Sequence, residues 1–140
     1  MRNHFSAADL LVRVGISISL AVSGYLHADL YDHGYRYIHI IGPSFMLQAA
    51  ASFALALVVL VGPWTLRAAA GLLAVGALTA FILSRTTGLF GFTEIGWQPA
   101  PQAALSVIAE AITAILCAVS LLVLRRRIPE PADVMQESPA

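Results

Sequence analysis

The sequence predicts an all-α fold, a bundle of four transmembrane helices with the N and C termini cytoplasmic. Three observations carry that prediction. The 140 residues are 59% hydrophobic and 11% charged, with a mean hydropathy of +0.79, which is too apolar for an ordinary soluble domain. Asp, Glu, Lys and Arg are absent from 14–28, 37–66 and 68–84, and Glu110 alone interrupts 95–124. The basic residues also divide unevenly between the two sides that an even number of spans defines. Arg2, Arg13, Arg67, Arg125, Arg126 and Arg127 fall on one side, and Arg36 and Arg85 on the other. The Arg-rich side is the cytoplasmic one.

The first span is expected near 10–28. A cleaved signal peptide ending at Ser23-Gly24 is the alternative, but Asp9 and Arg13 interrupt the apolar run and the run outlasts a usual signal core. Arg13, Ser17, Leu20, Gly24, His27 and Tyr31 recur at helical spacing and form one stripe. Arg13, close to the cytoplasmic surface, is expected to snorkel to lipid phosphate.

The following segment, 25–39, holds three of the four histidines and all four tyrosines. Its 29–37 loop is expected outside the cell. His27, Asp29, His33 and His39, with Glu94 from the other outer loop, are the residue types that ligate Zn²⁺ or Cu²⁺. A haem reading takes His27 and His39 as axial ligands and needs an apolar slot for the porphyrin. The plainer reading is an interfacial belt of Tyr25, Tyr31, Tyr35 and Tyr37, and it is preferred here.

A second span is expected near 40–61, with Ser44, Gln48 and Ser52 on one face. Gly62-Pro63-Trp64 then forms a tight turn. The third span is expected near 67–84. Ala50/Ala54 and Ala70/Ala74 have the small-xxx-small spacing that lets helices approach closely in lipid. The 85–101 loop, also exterior, contains Gly88, Gly91, Gly96, Pro99 and Pro101, which prevent a continuous helix, while Phe90, Phe92 and Trp97 lie on the bilayer or fold over the bundle mouth. The fourth span is expected near 102–124. Residues 125–140 read as a disordered cytoplasmic tail, too polar to bury a core of their own.

Gln102, Ser106, Glu110, Thr113, Cys117 and Ser120 mark one face of the fourth span. Polar groups in hydrocarbon are costly, so this face should point into the bundle. Glu110 and Gln48 lie at similar depth and are expected to face one another or share a water, with Ser19, Ser23 and Thr79 at neighbouring levels. Glu110, Gln48, Tyr25, Arg85 and Glu94 are therefore the candidates for a ligand site or polar core. One cysteine excludes an intrachain disulfide, and the balanced formal charge gives no reason to expect nucleic acid. No Ser, Cys or Lys stands in an activating motif, so nucleophilic catalysis is not expected.

The stretch from Arg13 to His27, with an early Arg and the late step Ser23-Gly24-Tyr25, resembles the opening helix of DoxX-like membrane proteins, as does the four-span plan. The phrases GYRYIHIIGPSFMLQ and SRTTGLFGFTEIGW resemble four-span proteins of high-GC Gram-positive bacteria. The resemblance implies a membrane subunit in redox metabolism, coupled to quinones, and no catalytic residue carries over with it. The expectation is a small inner-membrane protein acting as an accessory or anchoring subunit, with lipid, other subunits or its own copies as partners. The alternative is a ligand or redox module with an exterior pocket for a metal, haem or a quinone-like molecule.

Overall fold

The computed structural model describes residues 6–126. Four helices account for most of them: α1 (Ala7–Asp32), α2 (Ile41–Val58), α3 (Trp64–Arg85) and α4 (Gln102–Arg126). Each is long and apolar enough to cross a membrane, and among the described residues there is no strand, so the chain is an all-α four-helix bundle of the multi-pass membrane class. The expected tail at 125–140 lies outside the described residues beyond Arg126.

Local chemistry sets the helix ends. Ser6 caps α1 by accepting a hydrogen bond from the Asp9 amide at 3.2 Å. At its other end Gly34, at φ 133°, takes a conformation that few side chains allow, and the chain leaves the helix there. A short 3₁₀ turn at Tyr35–Tyr37 leads into α2.

Two expected boundaries need correction. The second span is shorter than 40–61: α2 starts at Ile41 and ends at Val58, and the Val58 carbonyl accepts from the Gly62 amide at 2.9 Å. A Cβ at Gly62 would lie 2.8 Å from that carbonyl, so the turn admits only glycine. Trp64 belongs to α3 and not to the turn, because Pro63 takes the position just before the helix, where its missing N–H costs nothing.

α1 packs closely against both α2 and α4, and α3 against α4, whereas α2 and α3 meet along much less of their length. Small residues allow the close contacts. A Cβ on Gly24 of α1 would sit 3.2 Å from the Ala49 carbonyl of α2, and one on Gly71 of α3 would sit 3.1 Å from the Cys117 Cβ of α4. Ala70 and Ala74 are buried as their spacing predicts, but Ala50 and Ala54 are exposed. On α2 the buried small residues are Ala49, Ser52 and Ala56, so the spacing was right and its register off by one to two residues. Leu11, Leu47, Leu57 and Leu72 point outward, as lipid-facing side chains do.

Toward the α1 N-terminus, Ile16, Leu20, Ala56, Val59, Ala70 and Cys117 form a continuous apolar core. We call this the base, and the opposite end, with the 33–40 and 86–101 connections, the mouth. Between them α1 and α4 share polar contacts: Ser19 and Thr113 hydroxyls are 2.7 Å apart, and Ser23 donates to Glu110 at 3.3 Å.

Candidate functional site

At the mouth the sparse α2–α3 contact leaves a cavity of about 180 Å³, comparable with the ~150 Å³ apolar cavity that admits a benzene ring. Its walls are largely apolar. Phe45 of α2, Ala77 and Ala80 of α3, and Leu89 and Phe92 of the last connection form most of them. Polar groups gather at two levels.

The inner level is His27 and Glu110, both of which line the cavity. Glu110 is 3% exposed and His27 9%. The His27 Nε2 stands 3.7 Å from the Glu110 carboxylate, and Nδ1 is 2.9 Å from the Ser23 carbonyl. A carbonyl only accepts, so Nδ1 carries a hydrogen and Nε2 is the atom facing the acid. The Phe45 ring lies beside the imidazole, tilted by 52° with centroids 5.0 Å apart.

The outer level is Arg85, Glu94 and Tyr35. Arg85 Nη2 holds Glu94 at 2.8 Å, and the Tyr35 hydroxyl donates to the same carboxylate. Burial first, and then the bond to Glu94 and its charge, push the Tyr35 hydroxyl well above the usual phenol range, with Arg85 acting weakly against them. Tyr35 therefore remains a donor. Arg85 also donates to the Gln98 carbonyl at 2.5 Å and the Gly96 carbonyl at 3.2 Å, and lies over the Phe81 ring at 3.9 Å. The 86–101 connection is thereby folded back across the mouth, with Phe92 edge-on to Tyr35 and Trp97 beside Phe81. Phe90 instead stays exposed.

Of the expected site residues, Glu110, Gln48, Arg85, Glu94 and His27 all line this one cavity. Gln48 shares the space, while the polar partners of Glu110 are Ser23 and His27 on α1. Tyr25 is 63% exposed on the outer face of α1 and belongs to no polar core. Thr79, expected at the Glu110 level, is exposed and bonded to its own helix at the Val75 carbonyl.

The proposed metal set is dispersed. His33 is exposed and pairs with Asp29 at 3.3 Å, Asp29 also accepts from Gln102 at 3.4 Å, and His39 is exposed. Among the described residues no three His, Cys, Asp or Glu side chains converge as a metal site. The two imidazoles of the haem reading are not paired either: His27 faces a space sized for one ring, and His39 does not line it.

Tyr35, Phe45 and Ser84 were not singled out as site residues. Phe45 and Gln48 lie one helical turn apart, which is the signal that could have found the former. Tyr35 reaches the cavity only because the 3₁₀ turn carries it inward. The base holds a second missed cluster. Arg13, expected to snorkel, is 5% exposed. It donates to Asp9 at 2.7 Å and to the carbonyls of Val59 at 2.8 Å and Gly62 at 2.9 Å. These bonds satisfy carbonyls at the α2 end that have no helical partner. The i,i+4 spacing of Asp9 and Arg13 was the visible clue. No protein-family model, curated protein or solved structure matches the chain.

Proposed function

We propose that this chain is a small multi-pass protein of the bacterial inner membrane, with its base cytoplasmic, that binds a small amphiphile in the mouth cavity. The ligand class is a single planar ring bearing hydrogen-bonding oxygens, quinone-like in pattern. One observation carries this reading: a buried imidazole and acid, His27 and Glu110, face into a largely apolar, ring-sized space. A buried ionisable pair contributes little to stability compared with apolar residues of the same volume, and ionisable groups inside a membrane are by default functional. Apolar walls with a few convergent polar groups are also the usual form of a small-molecule site.

In such a complex, the wall between Phe45 and Ala77 holds the ring by burial. Glu110 and His27 offer polar partners to a ring oxygen at the inner end, and Arg85 supplies N–H donors at the other end. The likeness of 13–27 to DoxX-like proteins supports the same ligand class and a place beside a membrane redox complex. The purely anchoring reading ranks second, since helix anchoring makes no use of a hollow lined by an acid.

Binding of duroquinone, a single-ring quinone, to the purified full-length protein in detergent is the test. Saturable one-to-one binding by calorimetry is expected. Gly76→Leu, which fills the cavity from a glycine with nothing within 4 Å of its Cβ position, should abolish it. Glu110→Gln should weaken it roughly tenfold, the loss of one charge-assisted hydrogen bond. Absence of saturable binding, or binding untouched by Gly76→Leu, sinks the proposal.

A further inference from the structure

The base carries a second, open pocket of about 490 Å³ bordered by α1, α3 and α4. Asp9, Arg13 and Arg67 line it together with Val12, Trp64 and Val123. Asp9 is shared between two guanidinium groups: Arg13 Nε holds one carboxylate oxygen at 2.7 Å, and Arg67 Nη2 holds the other at 2.5 Å. It is the single acid among the lining residues.

Arg67 is 3% exposed, and its buried Nε has no hydrogen-bond partner among the described residues. A guanidinium offers five donors, and leaving a buried charged group short of acceptors is costly. The first turns of α1 and α3 both border this pocket, through Ser6, Ala8, Trp64 and Arg67. Free N–H groups and the dipole make such ends favourable for anions. Arg125 and Arg126 in the last turn of α4 add positive charge at the same end.

We propose that the base pocket binds a phosphate group, with Arg67 as its main ligand. An anionic phospholipid headgroup is the source the walls suit best, since Val119, Val123 and Leu124 continue from the arginines as an apolar track for an acyl chain. The cytoplasmic leaflet, where the Arg distribution puts the base, is rich in such lipids. The site is separate from the mouth cavity and stands whether or not that cavity binds a ring.

The test is native mass spectrometry of the full-length protein in detergent with dioleoylphosphatidylglycerol, dioleoylphosphatidylcholine or inorganic phosphate added. One phosphatidylglycerol should be retained per chain, with phosphatidylcholine lost. Arg67→Gln should weaken retention roughly tenfold, while Arg125→Gln with Arg126→Gln should leave most of it. Inorganic phosphate retained alone, in the same Arg67-dependent way, would assign the site to a soluble phosphate and uphold the chemistry. Equal retention of both lipids without any phosphate binding, or retention indifferent to Arg67→Gln, overturns the proposal.

Should Arg67→Gln fail to fold, Trp97→Phe protein leaves Trp64 as the single tryptophan. Brominated phosphatidylglycerol at low mole fraction in nanodiscs should then quench Trp64 several-fold more than brominated phosphatidylcholine, and equal quenching refutes the site.

Discussion

Arg13 ties three segments of chain together at one point. Its guanidinium crosses from α1 to the carboxyl end of α2 while Asp9, one turn earlier, holds it and reaches on to Arg67 of α3. Removing it leaves buried carbonyls without a donor. Arg13→Leu should therefore lower stability by about 3 kcal/mol, read from unfolding in mixed detergent and SDS micelles. An Arg13 that merely reached for lipid phosphate would give a loss near zero. Of the Arg13 partners only Asp9 was legible in the sequence, by its i,i+4 spacing; the others are backbone carbonyls, which every residue has. Glu110 was legible for the opposite reason: one carboxyl inside thirty residues of apolar sequence, 95–124, has to be accommodated somewhere.

At the scale of helices, the bundle has three tight seams and one loose one. Gly24 sits in a close contact between α1 and α2, and its counterpart on the loose side is Gly76, with open space around it. Gly24→Ala should drive the Ala49 carbonyl and Ser52 apart and cost about 1–3 kcal/mol. Gly76→Ala should be neutral or slightly stabilising, since alanine favours a helix. Thermal unfolding in detergent compares the two, and equal losses would contradict the seam assignment. Each helix could be read from its charge-free run, and the polar faces of α1 and α4 from their spacing. The choice of which seam stays open could not, because it depends on a difference in side-chain volume summed over two helices. Alanine spacing suggested Ala50 and Ala54, and volume complementarity selected Ala49, Ser52 and Ala56.

The whole molecule has a pocket and charged groups at each end, with an apolar core nearer the base. The Arg distribution predicts a cytoplasmic base and an exterior mouth. In a Cys117→Ser background, His33→Cys at the exposed mouth turn should react with a membrane-impermeant maleimide on intact cells, and Thr65→Cys at the base only after permeabilisation. The reverse pattern would invert the topology. The four-span plan was fully readable because hydrocarbon imposes length and composition on every span. The candidate site was half readable: its acid and imidazole stand out by type, whereas Tyr35 and the 86–101 cap enter it through loop geometry that no periodicity encodes.

The loose seam has a consequence for how any occupant arrives. Ser44 of α2 and Gly76 of α3 line the cavity and are exposed, so the cavity is open between these two helices, on a side that lipid would cover in a bilayer. The reservoir for such a site is the lipid phase and not the aqueous one. Occupancy then follows moles of compound per mole of lipid, so an apparent dissociation constant quoted in water will change with the amount of membrane in the assay. Two compounds of equal fit would differ in potency by their ratio of partition coefficients.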